Sequence, residues 1–372
     1  MEIPAISVII PMYNVEKYIS DCLNSLLAQT FQDFEVIVAD DCSTDNSVEI
    51  VKNYAPKFNG RLKLTKTKEN SGGGGYVPRN LGLGLSRGNY IFFVDSDDFI
   101  TKTALEELHN AAKISDAEVV YTASYYLYKN AKEVVLERDN EGNLLVQKNI
   151  EDKPILIVNS PEKSLQKLLV EGHFRNPWTK FVRREFLFEN EIAFPKIIQG
   201  GDFIWVIQVY CHAKRFLRIP NAVYCYRDYS AESVTRKKRT ATEQNFYWVS
   251  AFVSWLKALE KLSNRAEILH KNPDYCYVAA LQHFNYCLGR FFEERMQLSS
   301  KDIYKTLHSE FSKRNAVSDL TLPFFFSVID SQQKNLIITQ QRVNQFAAQT
   351  QARIAELENE IKRLKGVNSA SE

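Results

Sequence analysis

The chain has 372 residues, enough to bury a large core and to form one large domain with an appendage. Its 47 Lys and Arg nearly cancel its 45 Asp and Glu, which excludes bulk electrostatic binding to nucleic acid. Cysteines at 22, 42, 211, 225, 276 and 287 form no Cys-x-x-Cys pair and the six histidines no His-x-x-x-His pattern, so no zinc site is indicated and the thiols read as reduced and mostly buried.

The N-terminus enters a strand pattern directly, without the basic start and long apolar core of a signal peptide, and no uncharged run approaches the length of a bilayer span. A soluble, cytoplasmic protein is the expectation. Residues 6–10 predict a β-branched strand ended by Pro11, and residues 19–27 align Ile19, Cys22, Leu23, Leu26 and Leu27 on one helical stripe. A second strand over 34–39 leads into the loop Asp40-Asp41-Cys42-Ser43-Thr44-Asp45, whose side chains suit the N-cap of a helix over 46–54. Residues 61–67 give a third, weaker strand. Four glycines follow at 72–75, either a flexible loop or a lid over a ligand, and then a helix begins near Pro78. Neither glycine pattern here is a phosphate fingerprint. No Gly-Lys-Ser/Thr follows the run, and Gly82-Leu83-Gly84 lacks its third glycine, has Arg87 in that place and precedes a strand instead of following one.

Residues 90–94 predict a fourth strand, apolar throughout and so buried on both faces, which ends in Asp95-Ser96-Asp97-Asp98. Three carboxylates within four residues repel unless a cation lies among them, and a divalent ion carrying a diphosphate would supply one; a solvated acidic turn is the alternative. Thr103-Ala104-Leu105-Glu106 predicts a capping box before the next helix, and residues 117–125 a fifth strand. This alternation predicts an α/β fold with a mostly parallel, helix-covered sheet. Ligands of such sheets bind beyond the carboxyl ends of the strands, where the second and fourth strands are expected as neighbours. An Asp there can accept a hydrogen bond from a base imide or a ribose hydroxyl, and Tyr13 can stack on the base.

Ser7-Val8-Ile9-Ile10-Pro11-Met12-Tyr13-Asn14, the 40–45 loop, Arg79-Asn80-Leu81-Gly82 and Asp95-Ser96-Asp97-Asp98, in this order, resemble the serial motifs of family 2 glycosyltransferases over about residues 4–235. The resemblance implies the GT-A fold (Rossmann-like), an inverting reaction and a nucleotide-sugar donor, a UDP-hexose or UDP-N-acetylhexosamine. By the same likeness Pro11, Tyr13 and Asp41 line the base pocket with Asp40 beside them. Arg79 belongs to the donor site, Asp95 contacts the ribose, and Asp97 binds Mg²⁺ or Mn²⁺ on the diphosphate.

In the second half, residues 133–136 and 144–146 flank a turn and predict a hairpin, and Ser160-Pro161 caps a helix reaching Val170. Residues 176–184 resemble an acceptor-side segment of the bacterial polysaccharide members. Trp178 there is either a platform for an acceptor sugar or a core residue. Asp202 is the expected catalytic base, because direct displacement needs one carboxylate to take the acceptor proton. The family presents that residue as Glu-Asp at a helix start; here Gly201 stands in the Glu position, and capping is the alternative role for Asp202. Residues 224–227 and 230–235 resemble the strand and loop that close the catalytic domain. The division expected is a catalytic domain over 1–238, with its donor half at 1–125 and acceptor half at 126–238. A helical appendage over 239–330, an amphipathic helix over 331–365 that could join subunits, and a disordered tail from 366 follow. The basic run 236–239 is either a surface loop or a touch on anionic lipid, which would bring the protein to the inner face of the membrane. The expected function is glycosyl transfer to a glycan or lipid-linked acceptor for a bacterial surface polymer. The alternatives are a nucleotidyltransferase, for which the Gly- and Lys-rich signature after the first strand is missing, and a non-catalytic nucleotide-sugar-binding or scaffold subunit.

Overall fold

The computed structural model describes residues 2–72, 74–128, 134–136, 153–227 and 241–293. The chain divides after Met296 into two compact units, and all of the second falls outside the described residues. So do the basic run at 236–239, the loop 230–235, the second arm of the predicted hairpin and the amphipathic helix expected to join subunits. Among the described residues no helix is long and apolar enough to cross a membrane.

The N-terminal part of the sheet is a four-stranded parallel layer. Strands β1 (Ile6–Met12), β2 (Phe34–Asp40), β3 (Leu62–Lys66) and β4 (Tyr90–Phe93) lie in the order β3-β2-β1-β4. Every residue of β1 and β2 is buried, as their unbroken apolar runs require. Pro11 does not end β1: it pairs with Ala39 and the strand continues to Met12. The reason is register. β4 accompanies β1 only as far as Ile9↔Phe93, and Pro11 turns its missing N–H toward the side that β4 has already left. The second and fourth strands are likewise not neighbours, because β1 lies between them.

Helices α1 (Ile19–Leu27), α2 (Ser47–Tyr54), α3 (Tyr76–Leu85) and α4 (Ala104–Ser115) make the crossovers. In α3 the glycine pattern serves packing: a Cβ on Gly82 would lie 2.4 Å from Ile9 Cγ2, so only glycine lets the helix settle on β1. The predicted capping box at α4 does not form. Thr103 Oγ1 donates to Glu107 Oε1 at 2.5 Å and Thr30 Oγ1 to Glu106 Oε2 at 2.6 Å, while Gln29 Oε1 accepts the Leu105 N–H at 3.1 Å in the cap's place.

Beyond β4 antiparallel pairings join the parallel ones. A short β5 (Phe99–Ile100), β6 (Val119–Tyr128), β7 (Val134–Leu136), β8 (Ile155–Val158), β9 (Lys180–Arg183) and β10 (Arg215–Arg227) complete it, and β4 meets β9 antiparallel. β6 and β10 run parallel with two register shifts, one between Ile219 and Ala222, where Pro220 lacks an N–H for the ladder, and one between Ala222 and Cys225. The first arm of the predicted hairpin is β7, and its partner is β6. α5 (Pro161–Leu169) is capped by the Ser160 side chain as expected; α6 (Arg184–Glu189) and α7 (Gly201–His212) follow. α8 (Ala241–Ser263), α9 (Glu267–Lys271) and α10 (Pro273–Glu293) were expected in an appendage beginning at 239. They lie within the first unit, with α8 on α7 and α10 on α5.

Candidate active site

The carboxyl ends of β1, β2 and β4 meet where strand order reverses about β1, the position at which an open α/β sheet leaves a crevice. Three loops leave this edge, and backbone and side-chain bonds knit them together. Asp41 N–H donates to Met12 O at 2.7 Å, Asn14 N–H to Ser43 Oγ at 3.0 Å, and Val15 N–H to Ser47 Oγ at 2.8 Å. The Asp40 carboxylate is buried and accepts the Ser43 N–H at 3.1 Å. Asp41, also buried, accepts from Thr67 Oγ1 at 2.9 Å and from Ser71 Oγ at 2.7 Å, which ties in the loop after β3. Pro11 is buried, and its ring packs where α3 begins: a Cβ on Gly75 would lie 3.2 Å from it. The Tyr13 side chain stands at the rim, 46% exposed, with its ring available for stacking.

The deeper part of the crevice is built around Arg79, in the first turns of α3 and 4% exposed. Its Nη2 pairs with Asp95 Oδ1, its Nη1 donates to Gly74 O at 2.6 Å, and the same Nη1 stands 3.6 Å from Asp202 Oδ1. One guanidinium thus joins a carboxylate at the end of β4 to a carboxylate in the first turn of α7, 107 positions later in the sequence. Burial works against its charge, but Asp95 and Asp202 outweigh it and hold the guanidinium firmly protonated. Asp202 Oδ1 is buried with no hydrogen-bond donor, while 35% of the side chain reaches solvent, so its other edge is open. Burial pushes this carboxyl up to about 6 against the pull of Arg79, with Asp95 adding to the rise.

The three carboxylates after β4 have three different surroundings. Asp95 faces Arg79. Asp98 is buried; Tyr224 Oη donates to its Oδ2 at 2.8 Å and the Arg227 N–H to its Oδ1 at 2.7 Å. Tyr224 Oη also accepts the Asp95 N–H at 3.0 Å, and Arg227 Nε donates to Asp97 O at 2.8 Å, so β10 fixes the shape of the whole loop. Asp97 keeps its carboxylate without an ion-pair partner among the described residues, and burial together with Asp95 pushes it up to about 6. Among the described residues no three His, Cys, Asp or Glu side chains converge as a protein-only metal site. A single unpaired, half-buried carboxylate still suits Mg²⁺ or Mn²⁺, which complete their shells with substrate phosphate and water.

Trp178 is a core residue. It is 4% exposed and stacks on Tyr224 at 4.3 Å and 14°, with Tyr125 edge-on at 4.8 Å, so no face remains for a sugar. Through Tyr224 it supports the loop that carries Asp95 and Asp98. Sequence reasoning missed Thr67, Ser71, Tyr224 and Arg227. Their partners lie 26 to 130 positions away, and only strand order brings them together. Arg227, a charged residue directly after the run 222–226, was the one visible signal.

Residues 7–186 match glycosyl transferase family 2. The poly(ribitol-phosphate) beta-N-acetylglucosaminyltransferase TarS of Staphylococcus aureus is 30% identical over 300 residues, 79% of this chain and 47% of that protein. The poly(ribitol-phosphate) beta-glucosyltransferase of Bacillus spizizenii is 31% identical over 282 residues, 73% of this chain and 40% of that protein. The chain therefore spans less than half the length of these two relatives. A crystal structure of S. aureus TarS 1-349 in complex with UDP-GlcNAc superposes with a TM-score of 0.61 at 25% identity, covering 84% of this chain and 82% of that one.

Proposed function

We propose that the chain, whose residues 7–186 match glycosyl transferase family 2, moves a hexose or N-acetylhexosamine from a nucleotide-sugar donor to a glycan or lipid-linked acceptor in bacterial surface-polymer synthesis, with inversion. One observation carries this reading: Arg79 holds Asp95 and Asp202 on the same guanidinium, so a donor-side carboxylate and a carboxylate with an open edge share one crevice. A uridine donor is supported by the TarS structure in complex with UDP-GlcNAc, and a hexose or N-acetylhexosamine by the two relatives named as N-acetylglucosaminyl and glucosyl transferases.

In this reading Tyr13 stacks on the base, with Pro11 behind it, and Asp40 and Asp41 shape the pocket by holding its three loops together. Asp95 takes a ribose hydroxyl, and Arg79 holds that carboxylate in place. Asp97 would hold a divalent cation, which when bound would supply positive charge for the departing diphosphate. Asp202 accepts the acceptor's hydroxyl proton as its oxygen attacks the anomeric carbon from the side opposite the leaving group. One bond forms, one breaks, and the nucleoside diphosphate leaves with the electron pair. A carboxyl held near 6 is ionised at neutral pH yet more basic than an ordinary Asp, which suits proton abstraction. Trp178, being buried, has no part in acceptor binding.

The test is UDP release from UDP-GlcNAc and UDP-glucose with Mn²⁺ and an extract of surface polymer. Release that depends on Asp202 supports the reading. Tight nucleotide-sugar binding without release under any acceptor condition would favour a non-catalytic binding subunit.

A further inference from the structure

The start of α7 is gripped from two sides by aromatic rings drawn from distant parts of the chain. Gly200 has φ of +80°, and a Cβ there would lie 2.4 Å from His283 Cε1 and 2.7 Å from Trp255 Cδ1. On Gly201 a Cβ would lie 2.8 Å from both Cε1 and Cζ of Tyr76. No side chain larger than hydrogen fits at either position without moving a ring. This accounts for the absence of an acidic residue at 201, since Tyr76 fills the space it would use.

Both grips are rigid. Trp255, on α8, is fully buried, stacks on His283 of α10 at 4.3 Å and on Phe203 at 5.6 Å, and donates its Nε1–H to Gly200 O at 3.0 Å. That carbonyl already accepts the first helical bonds, from Phe203 N–H at 3.2 Å and Ile204 N–H at 3.4 Å. The indole therefore fixes the carbonyl from which α7 starts. On the other side Tyr76 is buried and stacked on Phe194 at 6.2 Å and 18°. Asp202 follows immediately after these two glycines, and its Oδ1 receives no hydrogen bond of its own. Among the described residues, only the backbone turn and the 3.6 Å approach of Arg79 aim it.

We infer that Tyr76 and Trp255 are positioning residues for the reaction: they clamp the Gly200-Gly201 turn between α3 and α8 and so set the direction of the Asp202 carboxylate. The inference rests on the reading of Asp202 as the base. It also makes α8 and α10, which lie after the family-matched residues 7–186, part of the catalytic apparatus. Donor residues stand outside the clamp, so loosening it slows the chemical step and leaves donor binding in place.

The experiment uses the full chain, UDP-GlcNAc with Mn²⁺ and surface-polymer extract, and measures kcat, donor KM, UDP affinity by calorimetry and the pH profile of kcat. Trp255→Phe keeps the stacked ring and removes the N–H. It is expected to lower kcat by on the order of 10-fold to 10²-fold, as a small misplacement of a reacting group does. UDP affinity should stay within about twofold, because the donor contacts are untouched. With its turn loosened, Asp202 gains solvent, and the acid limb of the profile moves from near 6 toward the ordinary carboxylate range. Gly201→Ala drives its Cβ into the Tyr76 ring, and Tyr76→Ala removes that side of the clamp, so each should lose kcat in the same way. An unshifted acid limb in Trp255→Phe, UDP affinity lost together with kcat, or wild-type kcat in Tyr76→Ala would each overturn the clamp. Asp202→Asn run alongside separates the failures: if it keeps full rate, the base assignment itself has failed, and if it is inactive while Trp255→Phe is normal, only the clamp has.

Discussion

Replacing Asp202 with Asn keeps the shape of the side chain and removes its basicity, and the structure sets what should follow for rate, affinity and stability. Loss of a general base lowers turnover by about 10² or more. The proposed donor contacts belong to residues 11 to 97, and Arg79 still pairs with Asp95, so donor affinity should stay nearly that of the wild type. Stability should change in the opposite direction to activity. A carboxyl at about 6 in the folded chain, against an ordinary 3.8, favours the neutral form, so its contribution is intact below 3.8 and is lost as pH rises through 6. For a fully buried group that loss is about 3 kcal/mol. With 35% of this side chain in solvent, roughly 1 kcal/mol is expected after screening. Asp202→Asn should therefore be slightly more stable than the wild type at pH 8 and equal to it at pH 3.5. Urea titrations at the two values, with stopped UDP-release assays and calorimetry, measure all three quantities. Turnover near the wild-type rate, or a large loss of donor affinity, would refute the assignment of Asp202 as a dedicated base. For the wild type the same reasoning predicts turnover rising with pH through about 6.

Three further outcomes follow from other parts of the molecule. Chelator should inactivate the wild type and Asp97→Ala should be inactive with the metal restored; full activity in excess chelator would remove Asp97's role. Trp178→Ala should cost about 3–5 kcal/mol in urea unfolding, and Trp178→Phe should leave the acceptor KM unchanged; a raised acceptor KM at unchanged stability would return Trp178 to the acceptor site. At the opposite end of the sheet Glu35 accepts from Ser7 Oγ at 2.8 Å, Lys63 Nζ at 3.0 Å and Arg87 N–H at 2.7 Å. Burial pushes its carboxyl up, but these bonds prevail and hold it below 4.5, so its stabilisation is present above that pH and lost as pH falls through the lower folded value. Glu35→Gln should destabilise by about 1–3 kcal/mol at pH 7, and a difference that persisted at pH 2 would contradict the linkage.

What the sequence made legible was local. The apolar runs of β1, β2 and β4 and the stripe of α1 marked buried elements because their periodicity needs no partner to be read. The order of the acidic loops located the crevice, since carboxyl ends of parallel strands gather ligands whatever the strand order. Strand order itself was hidden: β1 separates β2 from β4, and β9 meets β4 antiparallel, and neither is written in any short stretch. The same limit kept Tyr224 and Arg227 out of view, because their roles exist only once β10 lies beside the loop after β4. Trp178 showed the ambiguity of one aromatic residue, which reads alike as a sugar platform or a core member until its neighbours are known. Gly201 looked like a lost acidic residue. The Tyr76 ring at 2.8 Å from its absent Cβ turns that loss into a packing requirement.

The most direct test of the account is the anomeric configuration of the product. Incubating the wild type with UDP-GlcNAc, Mn²⁺ and surface-polymer acceptor, and reading the anomeric coupling by proton NMR as UDP is released, reports the geometry of attack itself. A single displacement with Asp202 as base predicts a β-linked sugar from the α-linked donor. An α-linked product would contradict it, because retention requires a second nucleophile or a front-face path that an isolated base does not provide.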